Sequence, residues 1–150
     1  MENAIKQAID TYHIEGIVTG ALHSVYQAER IQKICDKLKI KCLNPLWHKD
    51  EIQYWKELFD NKFEIMIVGV ASDGLDEKWL GKIIDKNSFE ELKQLKEKFK
   101  FHLAFEGGEA ETFVTDCPLF KKRLIVVDGE RIWEGNSGRY EIEEIESVDK

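Results

Sequence analysis

Apolar positions along this chain change their spacing several times, and each change predicts an element. The opening "ENAIKQAIDTYHI" is helix-like, and "EGIVTGAL" (15–22) is a short β-branched run that reads as a strand. In the next segment, "SVYQAERIQKICDKLKI", Val25, Ala28, Ile31, Cys35 and Leu38 fall at helical spacing, so the strand feeds a helix. "IKCLNPLW" (40–47) is extended and broken at Pro45, after which Ile52, Trp55, Leu58 and Phe59 share one face of a second short helix.

"FEIMIVGVAS" (63–72) is almost unbroken in its apolar character, the pattern of a strand covered on both faces near the centre of a parallel sheet. "SFEELKQLKEKF" sets Ser88 and Glu91 at capping-box spacing and carries Phe89, Leu92, Leu95 and Phe99 as a stripe, which predicts a helix. The last third changes character. "RLIVVDGERIWEG" places Asp128-Gly129 between two apolar runs, a hairpin signal, and "GNSGRYEIEEIESV" adds a loop and a strand. The expected fold class is therefore α/β: a parallel, Rossmann-like β/α layer over residues 1–100, then a β-rich antiparallel part over 101–150. The helix-like opening leaves no first strand with a glycine-rich turn of the kind that holds phosphates in such domains. Either phosphates are not bound that way, or the segment that binds them precedes Met1.

Composition narrows the function classes. With 150 residues and 43% apolar content the chain can build a core of its own. A net charge of -7 and a pI near 5.2 exclude broad phosphate neutralisation, so nucleic acid is not an expected partner. No apolar run is long enough to span a bilayer and no leader pattern opens the chain, so the expectations are no membrane and a cytoplasmic location. Cys35, Cys42 and Cys117 lack zinc or disulfide spacing, and His13, His23, His48 and His102 are scattered, so no metal-ligand set is expected. Lysine and glutamate dominate the charges, a usage that fits a thermophile.

Three stretches could carry chemistry. "TGALHSVYQAER" (19–30) puts Gly20, His23, Ser24, Tyr26, Gln27 and Arg30 beyond the end of a strand and on the first helical turns, where open α/β sheets bind ligands; Ser24-x-x-Gln27 also fits a plain helix cap. "FEGGEAETF" (105–113) combines two glycines, which permit close backbone approach, with Glu106, Glu109 and Glu111. In an extended chain Glu109 and Glu111 project to one side, and paired carboxylates call for a cation, an amine or a proton; a solvated acidic loop is the plainer alternative. "ASDGLDEKWLG" (71–81) either lines the same crevice or is a surface loop with Trp79 packed down.

Together these stretches resemble the diphthine-ammonia ligase family of the N-type ATP pyrophosphatase superfamily, adenine-nucleotide hydrolase-like α/β proteins. The resemblance is carried by "GALHSVYQAERIQKICDKLKIKCLNPLW", "GLDEKWLGKIID" and "EGGEAETFVTDCPLFKK", in the family's order. It implies ATP-dependent amidation of diphthine, a modified histidine of translation elongation factor 2. The carboxylate would be activated as an acyl adenylate and captured by ammonia, with ATP and Mg²⁺ as cofactors. It places Gly20, Ser24, Tyr26, Gln27 and Arg30 on the nucleotide side, Glu106, Gly107, Gly108 and Thr112 on the diphthine side, and Glu109 and Glu111 as catalytic groups. It also implies an archaeal source, and a homodimer is compatible with all of these features. Two departures stand out: Ala110 where the family carries an aromatic, and no S-G-G-K-D-S pyrophosphate loop, so the chain is expected to be the C-terminal portion of the enzyme. A non-catalytic module binding a nucleotide or the elongation factor, or a related pyrophosphatase-type enzyme with another substrate, are the competing readings.

Overall fold

Caps and apolar stripes decide where the helices begin. In the computed structural model, which describes residues 1–150, helix α1 spans Glu2–Tyr12, strand β1 Gly16–Val18, α2 Val25–Leu38, β2 Lys41–Leu43 and α3 Glu51–Asp60. Strand β3 (Glu64–Val70), a short 3-10 turn (Glu77–Trp79) and α4 (Lys86–Phe99) follow, then strands β4 (Ala110–Asp116), β5 (Lys122–Glu134) and β6 (Ser137–Asp149). The Ser24 hydroxyl accepts from the Gln27 N–H at 3.4 Å and starts α2, while Asp50 accepts from the Gln53 N–H at 2.9 Å and starts α3. Helix α4 begins earlier than the Ser88/Glu91 spacing predicts. Asp85 is its N-cap and Ser88 the third residue of a reciprocal box, with 2.7 Å from Ser88 N–H to Asp85 and 2.8 Å from Asp85 N–H to Ser88 Oγ. No helix is long and apolar enough to cross a membrane.

The chain forms two compact units, Met1–Lys49 and Asp50–Lys150, where the sequence pattern suggested a division at residue 100. In the first unit β1 and β2 pair in parallel, Gly16 beside Lys41 and Val18 beside Leu43, with α2 as the crossover. This is the β/α part of the fold. Ala21, Leu22, Ala28 and Cys35 are its buried apolar residues.

The second unit carries a four-stranded antiparallel sheet in the order β4-β3-β6-β5. Strand β3 is internal, as its apolar run predicts, but its neighbours run antiparallel rather than parallel. A continuous apolar run reports burial on both faces and carries no information about strand direction, and this is why the expectation fails there. Its pairing also explains why the unit reaches back to Asp50: β3 is built into the sheet made by the last third of the chain. Beneath one face lie Trp55, Leu75, Trp79, Leu80, Ile84, Phe89, Leu92, Phe101, Leu103 and Phe105, packed on Ile65, Ile67 and Val70. The rings of Trp55 and Phe89 are 5.3 Å apart, and the Trp55 indole N–H donates to Leu103 O at 2.9 Å, so the largest side chain of α3 is buried with its polar atom satisfied.

The strand pairing is irregular in both β3 and β5. The register shifts between Ile67 and Gly69, so Ile67 and Val70 are both buried although they are three residues apart. In β5, Asp128-Gly129 is not the hairpin turn: it sits at a second register shift opposite Glu144 and Ile142, with the Gly129 N–H donating to Asp128 Oδ1 at 2.8 Å. The turn is the two-residue connection Gly135-Asn136, between the Glu134–Ser137 pair. Asp-Gly accommodates a bulge for the same reason it accommodates a turn, which is why the pattern alone mislocates the hairpin.

Candidate functional site

Each unit carries a cavity with predicted residues in it. In the first unit the chain leaves β1 and enters α2, and a cavity of about 440 Å³ opens there, lined by Gly20, Tyr26, Gln27 and Arg30 together with Thr19 and Ile31. The Thr19 hydroxyl binds Asn44 Oδ1 and its backbone N–H donates to Leu43 O at 2.9 Å, which ties the end of β1 to the end of β2. The Tyr26 ring is 72% exposed; its hydroxyl accepts from Arg30 Nη1 at 3.1 Å, and the guanidinium lies 5.9 Å from the ring centroid. A planar aromatic face beside a cation, above a mostly apolar wall, suits a flat heterocycle. Ser24 stands apart from the other four: it is not in the lining and acts as the cap of α2.

In the second unit the loop 101–109 is organised by two carboxylates. Phe101, Leu103 and Phe105 are buried, so the backbone between them needs hydrogen-bond acceptors close by. Glu109 supplies two: Oε1 accepts from the His102 N–H at 2.9 Å and Oε2 from the Gly107 N–H at 2.8 Å. The fit at Gly107 is tight, since a Cβ there would lie 2.6 Å from Glu109 Oε1. Glu51 of α3 supplies a third, accepting from the Leu103 N–H while binding Lys96 Nζ at 2.8 Å and lying 3.5 Å from His102 Nε2. Burial works to raise the Glu51 carboxyl, but the Lys96 and Leu103 hydrogen bonds and the nearby His102 outweigh it and hold the group below its ordinary range. Burial, with the charge of Glu106 adding, pushes the Tyr54 phenol up. The loop is joined to the sheet by the Ala71 N–H, which donates to Glu109 O at 2.9 Å.

Past this loop, β4 enters the sheet and a cleft of about 330 Å³ opens over β3. Its floor is Gly69. Glu111 on β4 and Arg139 on β6 are both in register with Gly69, one on each side, and Arg139 is in turn opposite Ile132 of β5. Directly opposed residues present their side chains on one face of a sheet, so an acid and a base flank a position that has no side chain. A Cβ on Gly69 would come 3.2 Å from the Glu111 Cβ and narrow the slot. Glu134 and Ser137, next to the hairpin turn, complete one wall, and Gly108 the other. Arg139 is exposed and its Nε lies 3.5 Å from Glu141 Oε2, a solvent-facing pair that holds the guanidinium only loosely.

The two predicted catalytic carboxylates thus differ in placement: Glu111 faces the cleft, whereas Glu109 closes the loop behind it and is not in the lining. Of the diphthine-side residues, Gly108 lines the cleft, Gly107 packs on Glu109, Glu106 is near Tyr54, and Thr112 is exposed beside Ile67. From the 71–81 loop only Ala71 reaches the cleft; Trp79 is fully buried. Arg139, Glu134 and Ser137 escape sequence reasoning, because only the strand order of the folded sheet brings them beside Gly69. Nowhere do three His, Cys, Asp or Glu side chains converge as metal ligands.

Residues 49–148, nearly the whole second unit, match the family described as diphthamide synthase C-terminal domain. The chain belongs to this family. It is 39% identical over 127 residues to a human protein named diphthine–ammonia ligase, a match that covers 84% of this chain and 47% of that protein. The Schizosaccharomyces pombe protein of the same name is 39% identical over 125 residues, covering 83% of this chain and 20% of its own length. The Saccharomyces cerevisiae one is 32% identical over 123 residues. The chain therefore spans half or less of the curated relatives it matches. The cleft over Gly69 lies within the family's C-terminal domain, while the Tyr26–Arg30 cavity lies before it.

Proposed function

We propose that this chain is part of a diphthine–ammonia ligase, which amidates diphthine on translation elongation factor 2 to diphthamide in the cytoplasm. The observation that carries this reading is the coincidence of the family match with the unit that holds the cleft, whose walls are those of a small charged ligand. In the reaction, the diphthine carboxylate attacks the α-phosphorus of ATP and pyrophosphate leaves. Ammonia then adds to the acyl carbon, the bond to AMP breaks, and the surplus proton passes to solvent. Mg²⁺ enters with the nucleotide, held chiefly by its phosphate oxygens and water, as is usual for this ion.

The chain's own residues contribute binding and orientation. Glu111 stabilises the quaternary ammonium of diphthine at short range from the wall of the cleft. Glu109 acts through the loop: by fixing the His102 and Gly107 N–H groups it holds Gly108 and the start of β4 still, and a bound acyl group benefits from such fixed walls. In the first unit, Tyr26, Arg30, Gln27 and Gly20 offer an aromatic face and a cation to the adenine side of the nucleotide, and Ser24 keeps α2 in place beneath them.

The test is mass spectrometry of elongation factor 2 from cells in which the gene encoding this chain has been deleted. Diphthine without its amide should accumulate, and restoring the gene should bring diphthamide back. Normal diphthamide in the deletion strain refutes the ligase reading and favours a non-catalytic binding module.

A further inference from the structure

From the row Glu111–Gly69–Arg139 we infer that Arg139 is the residue that recognises the carboxylate of the substrate, working against Glu111 across the glycine floor. The assignment deepens the ligase reading and rests on it. It turns the cleft into a site for a betaine-type zwitterion, a ligand that carries a quaternary ammonium and a carboxylate close together.

Register puts the Cα atoms of Glu111 and Arg139 two strand spacings apart, roughly 9.5 Å, with Gly69 between them. Both side chains rise from the same face. The two do not pair across the glycine, since the Arg139 guanidinium leans toward Glu141, and a ligand with opposite charges fits between them with each end against its complement. Glu134 also lines the cleft, from β5 on the Arg139 side of Gly69, so Glu111 is the acid that faces Arg139 across the glycine. The carboxylate end has one partner, Arg139. The guanidinium can supply it, because its present companion, Glu141, is exposed and 3.5 Å away, a pairing of little worth in solvent. Arginine rather than lysine suits the task, since its planar fork meets a carboxylate with two parallel N–H donors. A side chain at position 69 would occupy the space the ligand needs, which gives the glycine a reason to be there.

This makes Arg139 a specificity-determining residue that lies outside the acidic glycine loop, contributed by the hairpin of β5 and β6. It rejects amines without a carboxylate, and so protects the activation step from ligands that have nothing to activate.

The experiment follows backbone amide shifts of the chain by NMR during titration with glycine betaine, tetramethylammonium and acetate. Betaine should shift Gly69, Glu111 and Arg139. Arg139→Gln should weaken betaine about tenfold or more and leave tetramethylammonium unchanged, Arg139→Lys should restore part of the loss, and Glu111→Gln should weaken both cations. Betaine shifts elsewhere or nowhere, or an equal effect of Arg139→Gln on betaine and tetramethylammonium, overturns the assignment. Failure here is distinct from failure of the ligase reading: normal amidation of elongation factor 2 by the Arg139→Gln ligase would discard the role of Arg139 and keep the reaction. Loss of amidation dependence on the gene itself would discard the reaction.

Discussion

The two cavities are assembled by opposite means. The one in the first unit is lined by residues 19–31 almost entirely, a strand end and the first two turns of one helix, so its side chains are neighbours in sequence before they are neighbours in space. The cleft in the second unit takes Gly69, Glu111 and Arg139 from three strands, and nothing but hydrogen-bond register holds them in one row. A site of the first kind tolerates change outside its own segment. A site of the second kind depends on every pairing in the sheet, and it is correspondingly sensitive to single changes at its centre.

That difference can be broken most directly at Gly69. Gly69→Val should cut amidation of elongation factor 2 on the order of tenfold or more, because the new side chain presses on the Glu111 Cβ and fills the floor of the slot, an overpacking that costs about 1–3 kcal/mol. Kinetics of the intact ligase would show the loss as a raised KM for the protein substrate. Unchanged kinetics would remove Gly69 from the site. Next in size is Glu109→Ala, which strips the acceptor from two backbone N–H groups at once. Leaving such groups unpaired costs about 1–3 kcal/mol, so denaturant unfolding should shift by that amount and cleavage by proteases between residues 105 and 108 should quicken. Glu109→Gln keeps one acceptor oxygen and should lose less; equal stability of all three proteins would deny the loop its clasp.

These expectations also mark how far the sequence reaches. The helices were legible because their causes are local: Ser24 and Asp50 cap α2 and α3, and Ala28, Cys35 and Trp55 of their apolar stripes are buried, although Val25 and Ile52 in the first turns are exposed. The family resemblance and the grouping of Gly20, Tyr26, Gln27 and Arg30 around one cavity were legible for the same reason, since their residues lie on short continuous segments. The direction of the strands beside β3 was not, since Ile65, Met66 and Ile67 are apolar whichever way their neighbours run. Asp128-Gly129 reads as a turn in any window that does not include its partners Glu144 and Ile142. Arg139 could not be found at all: nothing in "GRYEI" says that the strand will lie against Gly69. Equally, Glu109 and Glu111 look equivalent in an extended chain, and only the loop closure behind β4 separates a clasp from a cleft wall.

A smaller effect sharpens the comparison by pH. Glu51 anchors the same loop from α3, and its carboxyl is held below its ordinary range by Lys96, Leu103 and His102 against the opposing effect of burial. A folded-state pKa below the unfolded value of about 4.3 means that the contribution is complete above that value and is lost as pH falls through the depressed one. Chemical denaturation of the chain and of Glu51→Gln should therefore differ clearly at neutral pH and converge as the solution is acidified toward the lower end of the carboxylate range. A constant difference across that range would show that Glu51 acts through shape alone.

The smallest change tests the sequence-local site. Ser24→Ala removes only the hydroxyl that accepts from the Gln27 N–H, and loss of such a cap costs about 1 kcal/mol. Because the donor belongs to the first turn of α2, amide hydrogen exchange should speed up at Gln27 and its helical neighbours while protection along β3, β4 and β6 stays as it was. Gln27 and Tyr26 ride on that turn, so nucleotide affinity should fall by a few-fold with no change in the KM for the protein substrate. If exchange in the β3–β6 sheet rises together with that of α2, the two sites do not draw on separate supports, and the contrast between a site made by neighbours in sequence and one made by strand register fails.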